Sequence, residues 1–222
     1  MMRKRIILAV IFLFGVGFFF YVLWDNNRIK VVEKDIEVET DDGITILQIS
    51  DLHEKEFGKN QNKLIEKINN VDYDVLLFTG DMLDSIDSTN TGSFYTLIEG
   101  IHNKEHAFYV PGNTDPYSYD VTEHHVEKSD FVKGMEARGV QLLETVEMIR
   151  VKKTNYYFVY FDAATIGNVY KAKDMIYAPY ATEPIYQAYL QKRLDDFTAL
   201  EAASEQDVLI GVTHFPVVDN RI

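Results

Sequence analysis

Residues 44–53 read ITILQISDLH, an apolar run typical of a buried strand that ends in Asp51 and His53. The run VLLFT at residues 75–79 ends in a similar way, because Gly80 and then Asp81 follow it. In open α/β sheets, ligands gather outside the carboxyl ends of the strands. These two segments therefore predict a parallel sheet with a ligand site at its carboxyl edge.

Two later strand-like runs also end in polar side chains. Residues 107–111 (AFYVP) precede Asn113, and residues 208–213 (VLIGVT) precede His214. Asp, Asn and Gly are common in ordinary turns, so each residue alone is weak evidence. Together, carboxylate, amide and imidazole groups on one sheet edge are the donor set of a hydrolytic metal centre.

The spacing of these loops indicates repeated strand–helix–strand units. The steps from Asp51 to Asp81 and from Asp81 to Asn113 are 30 and 32 residues, the length of a βαβ unit. Helices are predicted in between at Gln61–Asn70 and Ser93–His102. The apolar runs between these helices are short and continuous, which favours strands that are buried on both faces, as in a parallel sheet.

The rest of the chain predicts a second, smaller set of elements. A helix is expected at Asp130–Arg138, where Gly139 would end it. A second sheet of successive antiparallel strands is expected to follow, and then a helix that begins with a proline. These further elements are Val140–Leu143, Glu147–Lys152, Tyr156–Phe161 and the helix Pro184–Leu200.

The N-terminus predicts a membrane anchor. Ile6–Trp24 is a run of 19 residues without a charge, and as a helix it would be about 28 Å long, close to the hydrocarbon thickness of a bilayer. A cleaved signal peptide is the competing interpretation, but large residues end the run and no small-residue cleavage site follows. We expect a single pass in the cell membrane at residues 1–24, a tether at 25–43 and a domain at 44–222.

The basic residues beside this run give its orientation. Three basic residues lie on each side of the run, Arg3, Lys4 and Arg5 before it and Arg28, Lys30 and Lys34 after it. The first three touch the span directly, which favours a cytoplasmic tail and an extracytoplasmic domain. Within the tether, residues 36–38 predict a short strand.

Composition narrows the possible partners and ligands. The chain has no cysteine, so any metal must be held by oxygen and nitrogen atoms. Its formal net charge is −13, and such a surface repels nucleic acid phosphates. We therefore expect no nucleic acid partner.

The donor types suggest how metal ions would be bound. Asp51 and His53 are two residues apart, so in an extended chain both side chains point the same way and can bind one ion. Asp81 carries two carboxylate oxygens and could bridge to a second ion, for which Asn113 and His214 offer an amide oxygen and an imidazole nitrogen. This mixed set suits Mn, Fe or Zn better than Ca.

The ordered motifs resemble those of the calcineurin-like metallophosphoesterase superfamily. The resemblance covers residues 44–216, and the anchor with the phrase LQISDLH at 47–53 is similar to a membrane-associated bacterial branch. It implies an α/β sandwich of two sheets flanked by helices, with a dinuclear metal site. The motifs are Asp51-x-His53, Gly80-Asp81-x-x-Asp84, Gly112-Asn113-x-Asp115 and the later His214.

The resemblance also implies a role for each residue. Asp51 and His53 would hold the first ion, Asp81 would bridge both, and Asn113 and His214 would hold the second. Asp84 would contact these ligands and not the ions themselves. A water made acidic by the two cations would supply the hydroxide that attacks phosphorus.

The sequence departs from the family at three places. The family usually has a histidine where this chain has Thr114, which can donate a hydrogen bond to phosphate but cannot act as a general acid near neutral pH. His124 or His125 could substitute for it.

A terminal Gly-His-x-His block is missing, which indicates either a truncated chain or lost catalysis, and we favour truncation. The segment Phe161–Tyr180 carries four aromatic residues and could rim the pocket.

The sequence therefore predicts a metallophosphoesterase that hydrolyses a phosphodiester, a phosphomonoester or a pyrophosphate linkage. A membrane anchor makes a lipid-linked phosphate an attractive substrate. The alternative function is a non-catalytic scaffold of the same fold that binds a protein partner. A module that binds metal and phosphate without turnover is a third possibility.

Overall fold

The computed structural model describes residues 2–40, 42–161 and 178–214. The chain divides into two compact units, Met1–Asp35 and Ile36–Ile222. The first unit contains helix α1 (Met2–Asn26). By length and composition, its stretch Arg3–Asn26 is able to cross a membrane, although a signal sequence near the N-terminus would pass the same test.

The second unit is built from strands and helices that alternate in its first half. The elements are β1 (Ile46–Ile49), α2 (Asn62–Asn69), β2 (Val75–Thr79), α3 (Gly92–Gly100), β3 (Ala107–Val110), β4 (Tyr119–Val121), β5 (Val126–Lys128), α4 (Asp130–Glu136), β6 (Gln141–Leu142), β7 (Val146–Val151), β8 (Thr154–Tyr160), α5 (Pro184–Leu194) and β9 (Val208–Val212).

The first sheet confirms the predicted parallel βαβ units. Its strand order is β1-β2-β3-β6, and each neighbouring pair runs parallel. Strands β2 and β3 are buried along their whole lengths, as expected for strands that are covered on both faces. The loops that follow β1, β2 and β3 therefore lie at the same carboxyl edge of this sheet.

The prediction that residues 140–143 belong to the second sheet is wrong. Strand β6 pairs parallel with β3 in the first sheet, with Gln141 opposite Phe108. Gly139 (φ 93°) ends the preceding helical segment in a left-handed turn, and the N–H of Leu143 then donates to the carbonyl of Tyr109 at 2.9 Å. Two residues of strand are too few for a sequence pattern to reveal their direction or partner.

The second sheet has the order β7-β8-β9. Strands β7 and β8 are antiparallel, as predicted, whereas β9 runs parallel to β8. The carboxyl ends of β8 and β9 therefore lie on the same side of the second sheet. His214 lies just beyond the carboxyl end of β9, after Val212 and Thr213.

A shared apolar core joins the two sheets into the predicted sandwich. Val75 and Leu77 of β2 belong to the same buried cluster as Tyr156 and Phe158 of β8. The alternate residues of the first sheet pack elsewhere, since the ring of Phe78 meets Phe94 of α3 at 5.3 Å. Alternation of side chains along β2 thus places the second sheet on one face and helices on the other.

Three local elements differ from the sequence-based expectations. Residues 36–38 form no strand. The predicted helix Pro184–Leu200 is α-helical only to Leu194, and residues Asp195–Ala202 form a 3-10 helix. The hairpin of β4 and β5 was not predicted, because each strand is only three residues long and has a charged residue at its centre.

Candidate metal centre

Three loops at the carboxyl edge of the first sheet are joined by backbone hydrogen bonds. The N–H of Asp51 donates to the carbonyl of Gly80 at 3.0 Å, and that of His53 to the carbonyl of Asp81 at 3.0 Å. From the third loop, the N–H of Thr114 donates to Oδ1 of Asp81 at 3.0 Å. Asp81 therefore lies at the meeting point of all three loops.

The backbone in these loops has an unusual conformation. Asp51, His53, Glu54 and Asp81 have φ angles of 55°, 47°, 54° and 57°. For an L-residue, the left-handed region is roughly 1–2 kcal/mol higher in free energy than the right-handed one. Such strain persists only where the surrounding structure imposes it, and it clusters at functional sites.

Two glycines allow the loops after β2 and β3 to touch. Gly80 has a φ of 86°, and a Cβ there would lie 2.5 Å from the backbone nitrogen of Gly112. A Cβ on Gly112 would overlap Oδ1 and the backbone nitrogen of Asp81. Only glycine at both positions allows this close approach.

Asp51, His53 and Asp81 form a candidate group of metal ligands. Each offers one ligand atom, and these atoms lie within 4.8 Å of one another. Nε2 of His53 is 3.6 Å from Oδ2 of Asp81, which is too long for a hydrogen bond. Ligands that share one ion at bond lengths of about 2.1 Å lie roughly 3–3.5 Å apart. The donor set and its spacing therefore fit a divalent cation.

His214 reaches the same carboxylate from the second sheet. Its Nδ1 lies 2.8 Å from the carbonyl oxygen of Thr79, and because a carbonyl only accepts, Nδ1 must carry the proton. In the neutral ring Nε2 then has the lone pair, and it lies 3.5 Å from Oδ2 of Asp81. A ring held by a carbonyl on one nitrogen, with the other directed at an ion, is the usual arrangement of a metal-binding histidine.

Asp84 and Asn113 occupy more exposed positions beside this group. Oδ1 of Asp84 lies 3.5 Å from Nδ1 of His53, and its side chain is 63% exposed. Asn113 is exposed between Gly112 and Thr114. Asp84 thus faces the nitrogen of His53 that points away from Asp81, as a residue supporting a ligand would.

Thr114 uses both of its polar groups to hold the loops together. Its N–H donates to Asp81, and its hydroxyl donates to the carbonyl of Leu83 at 2.6 Å. In this structure the hydroxyl proton is therefore directed at the carbonyl of Leu83.

Glu54 stabilises the loop that follows Asp84 through hydrogen bonds. Its carboxylate accepts hydrogen bonds from the Ser88 hydroxyl, from the Asn90 amide at 2.5 Å and from the Asp84 N–H at 3.3 Å. The hydrogen bond from Ser88 is the main cause of a pKa below the usual range for Glu54. The group is therefore ionised at neutral pH.

The histidines that could replace Thr114 as an acid lie in the turn between β4 and β5. The ring of His125 bonds within the hairpin, with Nδ1 2.9 Å from the Thr122 hydroxyl and Nε2 3.3 Å from Glu127. Of the segment expected to rim the pocket, residues 162–177 lie outside the described residues. Tyr180 is described, and its ring contacts that of Tyr117 at 5.8 Å.

The carboxylate at this edge with the most hydrogen bonds is Asp115, which the sequence motif includes but to which sequence reasoning gave no role. Asp115 is 2% exposed and accepts hydrogen bonds from the loops after β2 and β3 and from a tyrosine. Its position three residues after Gly112, at a strand end, was the available signal, but it did not reveal which donors the carboxylate meets. The donors are the N–H groups of Asp81, Met82, Leu83 and Gly112 and the hydroxyl of Tyr109.

Comparison with known proteins gives the family. The calcineurin-like phosphoesterase family matches residues 44–221, and the chain belongs to this family. Membership indicates hydrolase chemistry on phosphoester bonds and a use of divalent metals, which the group Asp51, His53 and Asp81 is able to bind.

More distant comparisons add little. No curated protein matches the chain. Among solved structures, the chain is similar to a protein of unknown function from Aquifex aeolicus, with 16% identity over 78% of this chain and 81% of that chain. The TM-score of 0.33 is too low to support any argument from this likeness.

Proposed function

We propose that this chain is a membrane-anchored phosphoesterase that works with two divalent metal ions. The observation that carries the proposal is the position of one oxygen, Oδ2 of Asp81. It lies between Nε2 of His53 at 3.6 Å and Nε2 of His214 at 3.5 Å. A carboxylate between imidazoles from two different sheets is suited to bridge two cations.

The ligands divide between two ions in this proposal. Asp51 and His53 would hold the first, Asn113 and His214 the second, and Asp81 both. Oxygen and imidazole nitrogen donors suit Mn, Fe or Zn. When bound, such ions would lower the pKa of water and offset the charge on the phosphoryl group.

The other residues orient these ligands. Asp84 faces Nδ1 of His53, and the carbonyl of Thr79 accepts from Nδ1 of His214, so both rings would present Nε2. The N–H of Thr114 holds Oδ1 of Asp81 and thereby sets the direction of Oδ2. Fixed ligands of this kind need no rearrangement when metal arrives.

The substrate in this proposal is a phosphodiester, a phosphomonoester or a pyrophosphate linkage. The anchor at Ile6–Trp24 would place the domain at the outer face of the cell membrane and favour a lipid-linked phosphate. What supports this location is the apolar helix α1 together with the basic residues before it. Protease added to intact cells should digest the domain, and protection of the domain would contradict the orientation.

A direct assay tests the proposed activity. The full chain, purified in detergent with Mn²⁺, should hydrolyse bis(p-nitrophenyl) phosphate. Asp81→Asn should reduce the rate by at least about 100-fold, because loss of a ligand should cost no less than loss of a residue that only supports one. Asp207→Asn is the matched control and should keep the wild-type rate, since Asp207 caps a loop before β9 by accepting from Ser204 and Asn155.

A scaffold that binds a protein partner is the second candidate. The commitment of the Thr114 hydroxyl to Leu83 favours it, because the residue expected to contact phosphate is occupied elsewhere. A wild-type protein that binds Mn²⁺ but hydrolyses neither the aryl diester nor p-nitrophenyl phosphate would support the scaffold and contradict the proposed activity.

A further inference from the structure

The buried carboxylate of Asp115 lies at the carboxyl edge of the first sheet, and the proposed metal centre gives it no role. We propose that Asp115 is a positioning residue, which holds the loop at residues 80–83 so that Asp81 presents Oδ2 to the metal ions. This inference rests on the proposed metal centre but not on turnover. Nothing in the sequence-based roles assigns Asp115 a part in metal binding.

Both oxygens of Asp115 face N–H or O–H donors, so it is not itself directed at a metal. Oδ1 accepts from the N–H groups of Met82 and Leu83 at 2.7 and 3.0 Å. Oδ2 accepts from the N–H groups of Asp81 and Gly112 at 2.8 and 3.0 Å. Donors from consecutive residues converge on one anion only when the backbone folds into a concave turn.

That turn is the one that orients Asp81. Gly80 and Asp81 have φ angles of 86° and 57°, a conformation that costs free energy at Asp81. Hydrogen bonds to a carboxylate are stronger than those between neutral groups. The three bonds from Asp81, Met82 and Leu83 to Asp115 therefore offset the strain and stabilise the loop in the conformation that directs Oδ2 of Asp81 toward the two histidines.

Tyr109 fixes Asp115 in turn. Its hydroxyl donates to Oδ2 of Asp115 at 2.8 Å. Burial, and next the negative charge of Asp115, raise the pKa of Tyr109 well above its usual range. The phenol is therefore protonated at neutral pH and can donate to Asp115.

Binding of Mn²⁺ alone separates positioning from a purely structural role. Affinity is measured from the free-ion EPR signal, with the full chain in detergent and at a temperature where circular dichroism shows each variant folded. Asp115→Asn should weaken Mn²⁺ binding about 10- to 100-fold, as loss of a residue that orients a ligand does. Tyr109→Phe, which keeps the carboxylate, should weaken Mn²⁺ binding by a smaller factor, near the lower limit of about 10-fold.

Asp207→Asn controls for the loss of any carboxylate that accepts backbone N–H groups. It should lower stability without changing Mn²⁺ affinity. If folded Asp115→Asn binds Mn²⁺ like the wild type, the inference is overturned. If Asp115→Asn does not fold, Tyr109→Phe decides, and wild-type affinity in that variant overturns the inference.

The same titration distinguishes this inference from the proposed function. A wild-type chain that binds Mn²⁺ without hydrolysing any substrate contradicts the activity, and weaker binding in Asp115→Asn would still support positioning. A wild-type chain that does not bind Mn²⁺ contradicts both.

Discussion

Two largely buried carboxylates, Asp115 and Glu144, each collect several hydrogen bonds, but from different kinds of donor. Asp115 accepts mainly from backbone N–H groups of loops at the metal edge. Within the described part of the chain, the donors to Glu144 are side chains: the hydroxyls of Tyr119 and Tyr189 at 2.8 and 2.6 Å, the ammonium of Lys128 at 3.0 Å and the guanidinium of Arg193 at 3.4 Å. These side chains come from β4, α5 and β5.

The difference in donors indicates a difference in task. Backbone donors fix the dihedral angles of their own residues, so the Asp115 network sets where Asp81 points. Side-chain donors fix how whole elements pack, so the Glu144 network holds the β4–β5 hairpin against α5. The rings of Tyr119 and Tyr189, 5.4 Å apart, add an aromatic contact to the same interface. We therefore expect changes near Asp115 to affect metal binding, and changes at Glu144 to affect stability alone.

The largest expected effect comes from Gly112→Ala. The new Cβ would overlap Oδ1 and the backbone nitrogen of Asp81, so the loops after β2 and β3 would have to separate. We expect Mn²⁺ affinity, measured by EPR titration, to fall by at least about 100-fold, more than for loss of a residue that orients a ligand.

Gly92→Ala is the matched control for this change. A Cβ on Gly92 would meet nothing within 4 Å, and alanine is the better helix former at the start of α3. Gly92→Ala should therefore keep both affinity and stability. Unchanged Mn²⁺ binding in Gly112→Ala would contradict the close approach of the two loops.

Glu144→Gln should affect stability instead of metal binding. The amide cannot accept from all the donors that now meet at the carboxylate, and Lys128 loses one of its two anionic partners. We expect the free energy of unfolding, from urea denaturation, to fall by about 1–3 kcal/mol. Mn²⁺ affinity should stay within about twofold, and a larger change would break the contrast with Asp115.

The pH dependence of stability gives a smaller and more specific effect. Burial raises the pKa of Glu144, but hydrogen bonds from Tyr189, Tyr119 and Lys128 together lower it more, so the pKa lies below the ordinary value of 4.5. A carboxyl group with a depressed pKa stabilises the fold above its unfolded-state pKa, and this contribution disappears as the pH falls through the folded-state pKa.

The stability difference between the wild type and Glu144→Gln should therefore be fully present near neutral pH and shrink as the pH falls below about 4.5. Urea denaturation of both proteins across this range measures it. A difference that grows in acid would mean that the carboxylate is not stabilised by its partners.

Much of the fold could be predicted because its signals are local. The apolar runs before Asp51 and Asp81, with helical patterns between them, gave the parallel βαβ units. The convergence of Asp51, His53 and Asp81 followed from their positions at strand ends. Their family resemblance is confirmed over residues 44–221.

The rest depended on contacts between residues far apart in sequence. The two-residue strand β6 joins β3 because of where α4 ends, and no pattern within Gln141–Leu142 reveals that pairing. Asp115 belongs to a sequence motif, but its donors lie 32 to 34 positions earlier in the chain, so its hydrogen bonds emerge only in the folded structure. The proton on Nδ1 of His214 is likewise set by a carbonyl on another sheet.

A crystal of the full chain grown with Mn²⁺, with anomalous diffraction measured near the manganese edge, would locate the bound ions. If Asp81 bridges two ions, two anomalous peaks will lie within about 2.0–2.4 Å of its Oδ2, one next to His53 and one next to His214. A structure that binds Mn²⁺ elsewhere, with Asp81 contacting no ion, would contradict this bridging role.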